Sequence, residues 1–137
     1  MAIEMNLEMN GSDEDWEALK LILNEVGLHS VEAQDKFGLR ASLGNGELAI
    51  GVSWRHSPRG GAIRAEGKHD CSFIVTGNAT FRITSAMYDE AVATIKLLLT
   101  LLTERTNMLF VLSFQLEGVY AIRDRERGFE WFWSDPR

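Results

Sequence analysis

The chain has one cysteine, no apolar run long enough to cross a bilayer and no repeated metal-ligand spacing, and each lack closes a class of explanation. Cys71 alone can form no internal disulfide, which excludes a disulfide-stapled scaffold and agrees with a reducing compartment. The longest apolar candidate, Ile95 to Leu102, is interrupted by Lys96 and Thr100 and falls short of the roughly 18–20 residues a membrane helix needs. Met1-Ala2-Ile3-Glu4 begins acidic, without the basic start and apolar core of a secretory signal, so a cytoplasmic address is expected. What is present is ordinary for a folded protein: 45% hydrophobic and 25% charged residues, far from the composition of a disordered chain. At 137 residues a single domain spanning 1–137 is expected, burying roughly two-thirds of its unfolded surface.

Basic charge is scarce at one end. Residues 1–36 hold nine acids and two lysines, a net of −7, whereas residues 37–137 hold eleven acids and twelve bases, a net of +1. Phosphate neutralisation needs a net basic surface, so nucleic acid is a poor partner for the chain as a whole. A basic protein suits it better, although acidic residues also serve solubility.

Ile3, Met5, Leu7 and Met9 alternate with Glu4, Asn6, Glu8 and Asn10, the period of a half-buried strand with one solvated face. Ser12 follows as an N-cap, with Asp15 three residues later completing a capping-box signal and Asp13 and Glu14 favoured by the helix dipole. Trp16, Leu19, Ile22, Leu23 and Val26 give a first helix its apolar stripe, and Gly27 is placed to end it. Residues 28–36 read as a polar connection. Phe37 to Leu43 and Leu48 to Trp54 read as strands of a hairpin around Gly44-Asn45-Gly46. An irregular stretch continues to about Asp70. Cys71 to Val75 and Thr80 to Thr84 read as two short strands broken at Gly77-Asn78, or as one bent strand. Ser85 caps a second helix with Tyr88, Ala91, Val92, Ile95, Leu98, Leu99 and Leu102 on one wide apolar face. Met108 to Leu116 is a nearly continuous apolar strand, as expected where both faces are buried, and Val119 to Ile122 with Phe129 to Trp133 forms a closing hairpin. The expected fold is α+β, with two helices on one face of a largely antiparallel sheet and room for duplicated β-α-β-β units.

No set of residues spells out catalysis. His29, His56 and His69 sit in separate stretches, and adjacent residues such as His69-Asp70-Cys71 point to opposite faces of an extended chain, so no metal and no cofactor are expected. Cys71 with His56 or His29 is the one conceivable nucleophile pair, and a lone cysteine at a strand start is more often a small buried hydrophobe. Arg55, Arg59, Arg64 and Lys68 make 55–71 the most basic segment, able to grip an anion or acidic group, though it lacks the ending and context of a P-loop. Phe129, Trp131 and Trp133 fall on one strand face as core cover, leaving Phe132 on the other as a candidate partner contact.

Thr80-Phe81-Arg82-Ile83-Thr84, the helix 85–102, Leu109–Phe114 and the closing hairpin, preceded by the early alternating strand, resemble the immunity proteins of myxobacterial swarming-inhibition (Sit-type) systems and related bacterial polymorphic toxins. The likeness spans most of the chain as an order of elements and departs from it in the basic 55–69 loop. It implies a non-enzymatic inhibitor that binds and neutralises a cognate toxin by occluding it. On this reading Asp13, Glu14, Glu17, Arg59 and Phe132 are the candidate partner-binding residues, the toxin is basic, no nucleic acid or membrane is engaged, and a homodimer is compatible. The alternative is a small enzyme or anion-binding domain built on loop 55–71 with Arg59, His69 and Cys71.

Overall fold

The computed structural model describes residues 2–35, 38–43, 48–54, 73–84, 88–114, 118–124 and 128–131. Its elements are β1 (Ala2–Asn10), α1 (Asp13–Glu25), β2 (His29–Asp35), β3 (Gly38–Leu43), β4 (Leu48–Trp54), β5 (Gly77–Thr84), α2 (Tyr88–Arg105), β6 (Leu109–Phe114), β7 (Gly118–Asp124) and β8 (Gly128–Trp131). The strands form one eight-stranded sheet in the order β2-β3-β4-β5-β1-β6-β7-β8, antiparallel at every pairing. The expected α+β architecture is therefore present.

Strand, helix and three strands occur in that order twice, one strand more per half than a β-α-β-β unit. The two halves are laid into the sheet differently. After α1 the chain goes to the outer edge and walks inward through β2, β3 and β4. After α2 it enters beside β1 and walks outward through β6, β7 and β8. The halves share an order of elements and not a topology.

Alternation decides which face each strand buries. Met5, Leu7 and Met9 of β1, Ile50 and Val52 of β4, Ala79, Phe81 and Ile83 of β5, and Phe110 and Leu112 of β6 share one core with both helices. α1 contributes Trp16, Leu19, Ile22 and Leu23, and α2 contributes Tyr88, Ala91, Ile95, Leu98, Leu99 and Leu102. Both helices thus cover the same sheet face, each through its 3.6-period stripe. In β7 a register shift between Leu112 and Ser113 lets neighbouring Tyr120 and Ala121 both reach this core. Phe129 and Trp131 of β8 pack against it too, in edge-to-face geometry at 6.4 Å.

Three readings change. Residues 28–36 are not merely a connection: His29–Asp35 is an edge strand, paired with β3 through a ladder with two register shifts. Gly77-Asn78 does not break a strand but opens β5, where Gly77 pairs with Trp54. The polar face of β1 is only partly solvated, because Glu8 is 2% exposed beside Val111, which joins Ile122 in a second small cluster with Phe73 and Val119. Ser113 on β6 is likewise fully buried, and its hydroxyl makes no hydrogen bond. From Leu109 to Ser113, β6 is buried on both faces, as its nearly continuous apolar run implies.

Candidate partner-binding face

The first turn of α1 is built by its sequence. Ser12 Oγ accepts from the Asp15 amide at 3.3 Å, and the Ser12 amide donates to Asp15 Oδ2 at 2.9 Å, the reciprocal pair of a capping box. At the other end Gly27, at φ +93°, closes a Schellman turn: the Leu28 amide donates to the Leu23 carbonyl at 2.8 Å and the Gly27 amide to the Asn24 carbonyl at 3.1 Å. Asp15 is thereby occupied by structure. Asp13, Glu14 and Glu17 are exposed, with Glu17 four residues after Asp13 and three after Glu14, the spacings of neighbours on a helix surface.

Glu17 pairs with Lys20 at 3.0 Å, and the Lys20 ammonium also lies 5.3 Å from the Trp54 ring centroid. Trp54 stacks on Trp16 with centroids 5.7 Å apart. An exposed pair of this kind contributes little stability. Leu21, one turn beyond Glu17 on the same face, is 72% exposed. The search for an apolar stripe passes over Leu21, yet the signal is there: two residues past Leu19 on a helix is a turn of roughly 200°, which sends Leu21 outward while Leu19 and Leu23 go inward. Asn24, three residues on, is exposed as well, and its Oδ1 lies 3.0 Å from His29 Nδ1. The face therefore carries a bare leucine with three acids before it along the helix and Asn24 after it.

Glu25 and Arg105 join the ends of the two helices through a two-pronged ion pair, with Arg105 Nη2 donating to Glu25 Oε1 at 3.0 Å. The hydrogen bond from Arg105 holds the Glu25 carboxyl below its ordinary range, and Glu25 in turn raises the Arg105 guanidinium. Protein burial raises the Tyr120 hydroxyl, with Tyr88 adding to the shift.

Of the residues expected to bind a partner, Asp13, Glu14 and Glu17 come together. Arg59 and Phe132 lie outside the described residues, as do His56, His69, Cys71 and Trp133. Among the described residues no group of three or more His, Cys, Asp and Glu side chains is placed to hold a metal ion, and no helix is long and apolar enough to cross a membrane. No family model, curated protein or solved structure matches this chain.

Proposed function

We propose that the chain is an immunity-type protein that binds a basic bacterial toxin and neutralises it by occlusion, using the outer face of α1. The observation that supports this is Leu21, a large apolar side chain left in water between the acids Asp13, Glu14 and Glu17 and the polar Asn24. An apolar centre inside a polar, charged rim is the anatomy of a protein interface. Acids on the rim accelerate encounter with a basic surface, while the desolvated centre slows release. The resemblance to Sit-type immunity proteins supplies the class of partner. For the alternative, an enzyme or anion site at 55–71, the described residues offer no observation.

The test is co-production of the chain with a toxin encoded beside its gene, followed by binding kinetics on the purified pair. Reversing Asp13, Glu14 and Glu17 to lysine is expected to slow association at least tenfold at low salt, a difference that shrinks as salt screens the charges. Leu21→Ala is expected to act on the dissociation rate. Unchanged kinetics in both variants, with the toxin still bound, would remove α1 from the interface. Failure to protect cells from any neighbouring toxin would remove the immunity reading.

A further inference from the structure

α2 carries more leucine than the core takes up. In the run from Leu97 to Leu102, Leu98, Leu99 and Leu102 are wholly buried and Leu101 is partly buried against the core, while Leu97 is left 50% exposed. The outer side of the helix is also less polar than its sequence suggests. Ala93, one turn before Leu97, is exposed. Thr94 and Thr100 donate their hydroxyls to the carbonyls of Glu90 and Lys96, at 3.0 and 2.8 Å, so the helix itself takes up those donors. The Lys96 ammonium is drawn aside, 5.4 Å from the Trp131 ring centroid.

Charge marks both ends of this surface. Glu90 and Glu104, both exposed, stand seven residues before and after Leu97, about two turns each way and so on the same side of the helix. Neither carboxylate has an ion pair among the described residues, and Arg105, beside Glu104, is held by Glu25. Across α1 and α2 eight acids oppose three bases, and Lys20, Lys96 and Arg105 are each committed to a neighbour. The pattern selects among occupants. A second copy of the chain would meet α2 about a twofold axis. Packed antiparallel on Leu97, Glu90 would face Glu104 of the other copy, and packed parallel each acid would face its own counterpart, so like charges meet either way. An anionic membrane is repelled by the same acids. A helix with an apolar stripe and a base about two turns either side of its middle meets the leucine and both acids at once, in either direction.

We propose that the outer side of α2, centred on Leu97, docks a basic amphipathic helix of the partner. That this partner is the toxin rests on the function proposed above, whereas the kind of element docked rests on α2 alone. The apolar stripe of the docked helix covers Ala93 and Leu97, and a lysine or arginine towards each end pairs with Glu90 and Glu104, about 21 Å apart along the axis. Burying Leu97 returns to the complex the apolar area that the free chain leaves in water.

The test needs no toxin. The ¹⁵N-labelled full chain is titrated with a helical peptide of leucine and lysine, about 18 residues long, whose leucines recur at the 3.6-residue period. A scrambled peptide of the same composition and a peptide with glutamate in place of lysine are the controls. Saturable amide shifts at Ala93, Leu97 and Leu101 are expected, at least fivefold tighter than with either control. Leu97→Gln, at an exposed position, is expected to weaken binding at least fivefold. Glu90→Gln with Glu104→Gln is expected to weaken it at least threefold, by a factor that falls as salt rises. Equal binding of either control, shifts confined to α1, or no effect of Leu97→Gln overturns the proposal. So does a dimer in sedimentation, or retention on phosphatidylserine vesicles, that Leu97→Gln abolishes. A toxin bound as tightly by Leu97→Gln as by the wild type removes α2 and leaves the immunity reading standing. Peptide binding at α2 in a chain that protects against no toxin upholds the proposal and removes only that reading.

Discussion

Trp16 and Gly77 illustrate how one side chain dictates another far away in the chain. The Trp16 ring lies flat against Trp54 and directly over the backbone of Gly77, where an added Cβ would sit 2.3 Å from the ring edge. The ring is buried and stacked, so it has no easy direction of retreat. Gly77→Ala is therefore expected to cost about 1–3 kcal/mol, the usual range for overpacking, read as a lowered midpoint in urea with an unchanged slope. Gly51→Ala is the matched control, because a Cβ there meets nothing within 4 Å. A loss no larger at Gly77 than at Gly51 would mean that Trp16 is free to move. Trp16 as a core residue was legible from its place in the helical stripe. The role of Gly77 was not, because glycine reads locally as a break and only the fold brings the ring to it. The outward Leu21 was legible in principle from helical angle alone.

The elements were legible in proportion to how local their causes are. α1 is set by Ser12, Asp15 and Gly27, all within its own termini, and its limits follow from them. β2 is the opposite case: it pairs with β3 along a ladder, while in its own sequence only Val31 and Ala33 are apolar. The end of α2 is intermediate. Thr106 Oγ1 accepts from the Met108 amide at 3.1 Å, a local device, but Arg123 arrives from β7 to bind three carbonyls of the last turn and its connection. No pattern around Arg123 announces this, since the charged turn at 124–127 suggests solvation. Arg123→Met keeps the length of the side chain and removes the donors. It is expected to cost about 2 kcal/mol, the range for hydrogen bonds to a charged group, together with faster amide exchange at Thr106, whose amide donates to the Leu102 carbonyl. Wild-type exchange there would show that the three bonds do not hold the end of the helix.

Across the whole molecule the decisive fact is where β1 lies. It belongs to the first half of the chain, yet its two neighbours, β5 and β6, belong to the second. A reading of elements along the sequence finds two similar halves and has no means of seeing this, because pairing between residues as far apart as Met5 and Phe81 or Met5 and Phe114 is set by the collapse of the entire core. The consequence is mechanical. If the halves were separate units, residues 1–54 would hold together as α1, β2, β3 and β4 with β1 unpaired, losing every ladder bond it makes. Neither half can open without tearing β1 from its neighbours, so unfolding is expected to proceed in one cooperative step. Fluorescence of Trp16 and Trp54, read in a chain with Trp131 and Trp133 replaced by phenylalanine, and far-ultraviolet dichroism of the whole should give coincident urea transitions. Native-state hydrogen exchange should be slowest in β5 and β1, at the middle of the sheet, and fastest in the edge strands β2 and β8. Two separated transitions, or protection in β2–β4 that survives the loss of protection in β1, would show that the halves fold apart, and that β1 is an added strand rather than the one that locks them together.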